Sequence, residues 1–360
     1  MSHPQSNLLI NLSFLIPQPT GLAIYAKNLF PHLKTLNPTL LTAEKFPNNN
    51  CYEIPANLTP EQGTKGHINR LLWTQTQIPK IYKKLKSNLL FSPIPEAPLF
   101  AGCRYIITVH DLIALRFPRR LDPLTPYHRY YIPQVLRQAE HIICDSDSTA
   151  NDITNFCQIP SSLISRIFPG YDASFFKFLD LPTSNYFLYM GRHNPHKNVQ
   201  RVVAAFAALP KNSEYELWIT GSEDQRYTPL LKAQVQELGL VDRVKFLDYL
   251  PAADLPKVIN RAIALVFPSL WEGFGLPVLE AMACGTPVIT SNLSSMPEVA
   301  GDGARLVNPY SIQEIASAMQ ELATDAKARS HLRQLGLARA KQFSWEKTGR
   351  ETAAIVDRYL

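Results

Sequence analysis

The chain reads WEGFGLPVLE from Trp271 to Glu280, after one apolar run, Ala262–Phe267, and before another, Pro287–Thr290. An apolar run, a glycine-containing loop, a helix and a second apolar run are typical of one β–α–β unit with parallel strands. Pro277 suits the first turn of the helix, and Gly285 is expected to end it. Because ligands bind at the carboxyl ends of strands in open α/β sheets, this loop is a candidate binding site.

The loop and the helix start carry the features of a nucleotide-sugar site. Gly273 and Gly275 let a ligand approach the backbone closely, and the N–H groups at the helix start can face a diphosphate. Glu280 lies just inside the helix, and its side chain leans towards the N-terminus. There its carboxylate can accept hydrogen bonds from two ribose hydroxyls. Glu272, on the loop, can accept from sugar hydroxyls. The alternative, two solvated acids on a surface loop, is less consistent with the G-F-G setting.

Further apolar runs alternate with helical periodicity, which predicts an α/β protein whose parallel sheets are covered on both faces. The other predicted strands are Leu8–Ile16, Tyr105–Val109, His141–Cys144, Tyr186–Met190, Tyr215–Ile219 and Val244–Phe246. Pro31 is expected to interrupt the first helix. Turn residues and a polar, proline-containing stretch predict a domain boundary at residues 169–185. A last helix is expected from about Trp345 to Tyr359, with Ser344 as its N-cap.

A second loop places two cations beside a helix start. It reads GRHNPHK from Gly191 to Lys197 and follows the predicted strand Tyr186–Met190. Asn198 is expected to cap the following helix. Arg192, Lys197 and the helix N-terminus can together stabilise the charge of a departing nucleoside diphosphate. Residues 222–224, which follow Gly221 at another strand end, either reach the nucleotide or belong to a solvated loop.

Composition excludes several classes of protein. The 360 residues, 46% of them hydrophobic, suffice for two or three domains with substantial cores. No apolar run reaches the roughly 18 residues of a membrane-spanning helix. The five cysteines are scattered without a C-x-x-C pair, so neither a disulfide framework nor a structural zinc site is expected. A reducing cytoplasm is therefore the expected compartment. Peripheral association with the inner face of the membrane is compatible with this expectation.

The net charge of +6 lies mainly in the first half of the chain. Residues 1–172 carry 16 Lys+Arg against 11 Asp+Glu, and residues 173–360 carry 20 against 19. No zinc-finger spacing or RNP-type aromatic motif accompanies this charge, so an anionic membrane or a phosphorylated acceptor is favoured over nucleic acid. The stretch Arg70–Lys86 combines lysines with apolar residues. It suits either membrane contact or a helix packed on its own domain.

These motifs resemble those of the retaining glycosyltransferases of family 4, which have the GT-B fold. The E-x7-E pattern from Glu272 to Glu280 resembles the donor-binding segment of that family. The other matching motifs are Gly191-Arg192 with Lys197-Asn198, Val109-His110-Asp111, Gly170 with Asp172, Thr20-Gly21 with Tyr25, and Phe343-Ser344-Trp345. Two departures occur, because Pro169 stands where asparagine is more usual and the Thr20-Gly21 loop has one glycine where many members have two.

The resemblance implies a GT-B-like fold of two Rossmann-like domains with parallel sheets and a cleft between them. Residues 1–172, completed by the helix 345–360, would form the acceptor-side domain, and residues 173–344 the donor-binding domain. The resemblance also implies retention at the anomeric carbon. Because no second carboxylate is assignable as a nucleophile, front-face attack is expected, with the leaving phosphate taking the acceptor proton.

The residues expected to act fall into two groups. The candidate catalytic residues are His110, Arg192, Lys197 and Glu272. The candidate donor-binding residues are Gly21, Gly191, Gly221, Gly273, Phe274, Gly275, Leu276 and Glu280. His110 would contact the donor sugar through a hydroxyl or main-chain hydrogen bond, and a satisfied structural histidine is the alternative.

One motif points towards a metal. Asp145-Ser146-Asp147 is a D-x-D, the metal-binding signature of the other major glycosyltransferase fold. It lies between the predicted strand His141–Cys144 and a helix, where Ser146 or Ser148 suits the N-cap and the acids suit the helix dipole. We therefore expect no metal site and no cofactor, since the nucleotide sugar is a substrate.

The expected activity is that of a metal-independent hexosyltransferase of polysaccharide biosynthesis. The resemblance favours the mannosyltransferase branch, with GDP-mannose as donor and a UDP-sugar such as UDP-glucose next. The acceptor would be a glycan, a lipid-linked molecule or a small molecule. The alternatives are a sugar phosphorylase or nucleotide-sugar epimerase on the same scaffold, and an inactive nucleotide-sugar-binding protein.

Overall fold

A computed structural model describes residues 7–16, 21–118, 125–210, 214–247 and 250–360, without the side chains of Pro60 and Ala252. Thr20, which the sequence analysis used, and Arg119 and Arg120, which contribute to the positive charge of the first half, lie outside the described residues. The chain divides into two compact units. The first unit takes the residues up to Gly170 together with Trp345–Leu360, and the second is Tyr171–Ser344.

Each unit is built on one parallel sheet. The first sheet has the order β3-β2-β1-β4-β5-β6-β7, and the second has the order β10-β9-β8-β11-β12-β13. The strands of the first sheet are β1 (Leu8–Asn11), β2 (Thr39–Thr42), β3 (Asn50–Glu53), β4 (Leu89–Ser92), β5 (Tyr105–Val109), β6 (His141–Cys144) and β7 (Ile164–Arg166). Those of the second are β8 (Tyr186–Met190), β9 (Glu216–Thr220), β10 (Val244–Leu247), β11 (Leu265–Phe267), β12 (Val288–Ser291) and β13 (Arg305–Val307).

Helices connect successive strands. The α-helices are α1 (Gly21–Leu29), α2 (Gly63–Thr76), α3 (Ile78–Lys84), α4 (Ile113–Arg116), α5 (Ile132–Gln138), α6 (Asp147–Cys157), α7 (Val199–Ala207), α8 (Thr228–Glu237), α9 (Leu255–Arg261), α10 (Leu276–Ala283), α11 (Met296–Ala300), α12 (Ile312–Thr324), α13 (Ala326–Ala340) and α14 (Trp345–Asp357). Short 3-10 turns lie at Phe30–Leu36, Ala56–Leu58, Pro60–Gln62, Ser161–Leu163, Pro195–Lys197, Ala252–Asp254 and Gly301–Gly303, and a π-helical turn at Tyr127–Tyr131. Among the helices of the described ranges, none has the length and apolarity needed to cross a membrane.

Apolar side chains cover both faces of the first sheet. In β1, Leu9 packs in one core cluster, whereas Leu8 and Ile10 pack in the other, because successive side chains of a strand point to opposite faces. Trp345 of α14 joins the second cluster, so the last helix is part of the first unit. The predicted α/β class with two Rossmann-like parallel-sheet units is confirmed.

Local signals set several of the boundaries. Helix α1 ends at Leu29 and continues as a 3-10 turn, as Pro31 predicts. The predicted strand Leu8–Ile16 was too long, because the Ser13 N–H donates to the Asn11 side chain at 3.2 Å and turns the chain away from the sheet. The predicted strand Ala262–Phe267 likewise begins only at Leu265.

Candidate functional site

Two glycines bring the loops after β8 and β9 into backbone contact. Gly191 and Gly221 have φ of 148° and 142°, values that favour glycine. A Cβ on Gly221 would lie 2.2 Å from the Gly191 carbonyl oxygen. The structure thus explains both glycines through the packing of two loops at the carboxyl edge of the second sheet.

An ion pair joins the loop after β8 to the loop after β11. Lys197 Nζ lies 2.7 and 2.6 Å from the two carboxylate oxygens of Glu272. Glu272 is 6% exposed, which is low for a carboxylate. Lys197 Nζ also lies 5.4 Å from the ring centroid of Phe267, the last residue of β11. The two side chains proposed for the diphosphate and the sugar therefore bind each other in this structure.

Arg192 differs from Lys197 in its environment. Its side chain is exposed, and within the described part of the chain its guanidinium has no hydrogen-bond or ion-pair partner. Its main-chain carbonyl accepts a hydrogen bond from the Tyr189 hydroxyl at 3.2 Å, which fixes the loop backbone. Arg192 is thus a cation on an anchored backbone, with its charge open to a ligand.

Two serines after β12 hold the Glu272 loop. The Ser294 hydroxyl accepts from the Glu272 N–H at 3.0 Å and donates to the Glu272 carbonyl at 2.7 Å. The Ser295 hydroxyl lies 2.8 Å from the Phe274 carbonyl oxygen. The sequence analysis missed both residues. Polar side chains directly after the predicted strand Pro287–Thr290 were the available signal, since neighbouring parallel strands end at the same edge.

Asn198 does not cap α7 in the way that was expected. It occupies the N-cap position with φ of 63°, and its side chain makes no cap hydrogen bond. Its amide donates instead to the carbonyls of Pro268 and Pro309, at 2.8 and 2.7 Å. The prediction of a side-chain cap was wrong, because the left-handed backbone turns this amide towards the loops after β11 and β13.

Glu280 lies in α10 with a partly buried side chain. No ion pair or side-chain hydrogen bond to it occurs among the described residues, and burial raises its pKa to about 7. The helix begins after Gly275, whose φ is 108° and whose Cβ would lie 2.4 Å from the Met296 side chain. Glu280 is therefore a carboxyl group that still has hydrogen-bonding capacity for a ligand.

The remaining donor candidates are placed as follows. Gly273, Phe274 and Leu276 lie in the loop and at the helix start, and Phe274 is buried against Phe343, with ring centroids 5.9 Å apart. Gly21 is the first residue of α1, in the other unit, with open space around its Cα. In the loop after β9, Glu223 pairs with Lys232 at 2.6 Å, and Asp224 pairs with Arg226 at 2.7 Å.

His110, directly after β5 in the first unit, is held by two protein acceptors. Its Nδ1 lies 2.7 Å from a carboxylate oxygen of Asp145, and its Nε2 lies 2.9 Å from the Pro93 carbonyl oxygen. Burial by itself lowers the pKa of His110, but Asp145, the Pro93 carbonyl and Asp111 together raise it by more, so the pKa lies above its ordinary value. Both ring nitrogens therefore lie against oxygen atoms of the protein. This geometry favours the structural alternative for the ring nitrogens.

The D-x-D stretch has the predicted capping role. Ser146 is the N-cap of α6, and its hydroxyl accepts from the Thr149 N–H at 3.0 Å. Asp145 binds His110, and Asp147 pairs with Arg166 at 3.0 Å. The described residues contain no group of three His, Cys, Asp or Glu side chains arranged to hold a metal ion. The pairing of Asp145 with His110 was not predicted.

The stretch Arg70–Lys86 packs on its own unit. Trp73, Ile78 and Ile81 are buried in the core of the first unit, whereas the lysines at 80, 83, 84 and 86 are exposed. The chain bends between α2 and α3 near Pro79. Of the two alternatives, membrane contact and packing on the same domain, packing accounts for the apolar face of α3.

Two family models match the chain. One, described as glycosyl transferases group 1, matches residues 171–338. The other, described as glycosyltransferase family 4, matches residues 19–175. Together they cover residues 19–338.

Curated relatives and solved structures agree with these matches. The chain is 31% identical over 266 residues to the O-antigen chain mannosyltransferase B of Escherichia coli, covering 69% of each chain. It is 28% identical over 284 residues to the serotype-specific mannosyltransferase WbdA of Escherichia coli, covering 71% of this chain but only 33% of that longer protein. HepE of Anabaena in complex with UDP-glucose has a similar fold, with a TM-score of 0.75, 17% identity, and coverage of 98% of this chain and 99% of HepE.

Proposed function

Since this chain belongs to the glycosyltransferases of group 1 and family 4, with the GT-B-like fold that was predicted, we propose that it transfers mannose from GDP-mannose to a glycan acceptor with retention of configuration. Its class, a hexosyltransferase, follows from the family. The choice of donor rests on the relatives named as mannosyltransferases. The observation that carries the site is the clustering of Arg192, Lys197 and Glu272 at one sheet edge.

The roles that we propose for these side chains follow from the negative charge that develops on the leaving group during the reaction. The bond from the anomeric carbon to the donor phosphate breaks, and the acceptor oxygen forms a new bond to that carbon while its proton passes to the leaving phosphate. The nucleoside diphosphate gains negative charge in this step. Arg192 and Lys197 would stabilise it, because positive groups placed where charge develops stabilise the transition state.

The Lys197–Glu272 pair would exchange partners when donor binds. Lys197 would turn to the diphosphate, and the freed carboxylate of Glu272 would accept hydrogen bonds from the sugar hydroxyls. The phosphates would then be the counter-ion of Lys197 in place of Glu272, and the carboxylate of Glu272 would be stabilised by hydrogen bonds from the sugar hydroxyls. Glu280 would bind the ribose hydroxyls.

We place the reaction in the cytoplasm. None of the five cysteines forms a disulfide, and Cys51 among them is exposed. Free thiols of this kind persist in a reducing compartment.

Donor screening tests the proposal first. GDP-mannose, UDP-glucose and their nucleoside diphosphates are compared by thermal shift, since a ligand that binds the folded state raises the melting temperature. We expect the largest shift with GDP-mannose and GDP. A rise in melting temperature with UDP-glucose alone would identify UDP-glucose as the donor and would leave the proposed enzyme class unchanged.

Product analysis tests the reaction itself. GDP-mannose is incubated with mannooligosaccharides, and the new linkage is assigned by NMR. An α-linked product supports retention. Donor consumed equally without any acceptor would favour a phosphorylase- or epimerase-type enzyme, and tight donor binding without turnover would indicate a nucleotide-sugar-binding protein.

A further inference from the structure

A small cavity lies in the first unit at the carboxyl ends of β4 and β5. Its volume is about 190 Å³, and His110 and Asp111 form part of its wall. Pockets for drug-sized ligands measure roughly 300–1,000 Å³, so this cavity suits a single sugar ring. Phe14, Ile94 and Ile132 give it an apolar side, which matches the C–H face of a sugar.

The one arginine in the cavity wall is neutralised. Arg70 Nε and Nη2 lie 2.7 and 2.8 Å from the two carboxylate oxygens of Glu96, which is fully buried. Arg70 also donates to the Leu58 carbonyl at 3.1 Å, and Tyr127 donates to Glu96 at 3.1 Å. A bidentate pair with its remaining hydrogen bonds made has little charge left for a phosphate.

His110 is occupied as well. Its two ring nitrogens lie against a carboxylate oxygen of Asp145 and the Pro93 carbonyl oxygen, so the His110–Asp145 pair offers no net positive charge. Asp111 is therefore the one lining carboxylate without an ion-pair partner among the described residues. It is exposed, and one of its oxygens accepts from the Ile113 N–H at 3.0 Å. The net charge presented to a ligand by these carboxylate, arginine and His110 groups is negative.

His67, one of the lining residues, has one buried hydrogen-bond donor without a partner among the described residues. Its Nδ1 lies 2.9 Å from Arg70 Nη2, and arginine only donates, so Nδ1 must be the acceptor. The proton then resides on Nε2, for which the described residues provide no partner. Burial has the largest effect on the pKa of His67 and lowers it, which agrees with a neutral ring. A hydroxyl oxygen would satisfy this N–H.

We propose that this cavity binds one neutral sugar ring of the acceptor and discriminates against phosphorylated sugars. The proposal rests on the proposed function, because it assigns the substrate class of the same reaction. An apolar wall, a carboxylate and a neutral N–H donor can bind the C–H face and the hydroxyls of a sugar. A phosphate would meet Asp111 with no unpaired arginine or lysine among the described lining residues to offset the repulsion.

The test observes the cavity without needing turnover. Protein with labelled isoleucine methyl groups is titrated with methyl α-mannoside, methyl α-glucoside, mannose 6-phosphate and glucose 6-phosphate, and the signals of Ile94 and Ile132 are followed by NMR. The titration is run at pH 8, where a histidine of ordinary pKa, about 6.5, is neutral. We expect saturable shifts with a neutral sugar at concentrations on the order of tenfold below those needed for its phosphate.

A variant pair then tests the charge argument. Asp111→Asn should narrow the preference for the neutral sugar by about tenfold, since it removes the unpaired anion. Asp147→Asn is the matched control, because Asp147 lies in the same unit, pairs with Arg166 and is not part of the cavity wall. It should leave the preference unchanged.

Three outcomes would overturn the inference. They are equal or tighter binding of the phosphorylated sugars, an equal effect of both variants, and the absence of Ile94 and Ile132 shifts with all four sugars. Donor binding and mannosyl transfer are measured on the same samples. A protein that transfers mannose but fails these tests would retain the proposed function and lose this cavity as its acceptor site.

Discussion

Lys197 and Arg192 lie in the same loop but differ in how their charges are balanced. Lys197 compensates Glu272, which is nearly buried, whereas Arg192 is exposed and free of protein partners in the described ranges. Removing Lys197 therefore leaves an uncompensated carboxylate, and removing Arg192 does not. The two cations can be separated experimentally by their effects on stability.

The first prediction follows from this difference. Arg192→Ala should lower kcat on the order of a hundredfold with little change in melting temperature. Lys197→Ala should lower kcat similarly and also lower the melting temperature, because it leaves the Glu272 charge unpaired. Lys232→Ala, which breaks the exposed pair with Glu223, is the control and should change neither. Wild-type kinetics from both Arg192→Ala and Lys197→Ala would remove this loop from the mechanism.

Glu280 gives a prediction about pH. Its folded pKa of about 7 exceeds the ordinary value of 4.5, so the folded state binds more protons and loses stability as pH rises between these values. Glu280→Gln should remove that loss, and its stability relative to wild type should rise from pH 5 to pH 8 by on the order of 1–3 kcal/mol.

The same variant should bind donor more weakly by about 1–3 kcal/mol, because a carboxylate that accepts from the ribose is lost. Wild-type donor affinity should increase as pH rises through about 7, where Glu280 ionises. Urea unfolding and donor titration at pH 5, 6, 7 and 8 measure both effects. Glu237→Gln, on the exposed end of α8, is the control. A relative stability of Glu280→Gln that does not depend on pH would contradict the assignment.

Sequence alone could propose Glu272, Glu280 and the glycine positions, because each follows from a local motif. It could not propose the pair His110–Asp145 or the pair Arg70–Glu96. Those residues are 35 and 26 positions apart. Their meeting depends on which strands are neighbours, and no local pattern encodes strand order.

At the scale of elements, the strands that the sequence predicted best are buried on both faces. Strands β5, β6 and β8 have the predicted bounds, and each consists entirely of buried residues. The missed strands include β3, whose residues are mostly exposed at the sheet edge. Edge strands lack the continuous apolar run that identifies a central parallel strand.

The loop after β12 supplies the element-scale prediction. Ser294→Ala removes the hydroxyl that bonds the Glu272 backbone but keeps a side chain at the same positive φ of 59°, so backbone strain is matched. We expect kcat/KM to fall about five- to fiftyfold, or roughly 1–2 kcal/mol, because the carboxylate loses its support. Thr324→Ala is the control, because the Thr324 hydroxyl donates to the Gln320 carbonyl of its own helix. Unchanged kcat/KM would show that the Glu272 loop is positioned without Ser294.

At the scale of the whole molecule, internal ion pairs occupy some cations of the first half but leave its net positive charge unchanged, because each pair takes one cation and one anion. Lys27–Glu44, Arg70–Glu96 and Arg104–Glu140 are all ion pairs of the first unit. The lysines of α3 remain exposed above a buried apolar face. Any membrane contact through α3 would then be electrostatic, without insertion of that face.

This arrangement predicts a salt-sensitive interaction with anionic vesicles. At low salt the protein should bind vesicles containing phosphatidylglycerol, and binding should weaken as salt is added. Replacing Lys80, Lys83 and Lys84 by glutamine should reduce binding, at up to about 1 kcal/mol per lysine. The same change at Lys257, Lys327 and Lys341 of the second unit is the control. Co-sedimentation measures both, and no binding at low salt would eliminate membrane contact through α3.

A neutral sugar in the cavity of the first unit is compatible with a lipid-linked acceptor, whose phosphates would lie outside that cavity.

The last prediction is that transfer survives complete chelation of divalent metal. A departing nucleoside diphosphate carries concentrated negative charge, and an enzyme must face it with a bound cation or with its own positive groups. The second unit offers Arg192 and Lys197 at one sheet edge, beside the start of α7. The acids of the D-x-D stretch are committed elsewhere, Asp145 to His110 and Asp147 to Arg166. Initial rates with GDP-mannose should therefore be equal with and without excess EDTA, and Asp147→Asn should leave them unchanged. If EDTA abolished the rate and manganese or magnesium restored it, the leaving group would depend on a metal, and the roles of Arg192 and Lys197 would have to be reassigned.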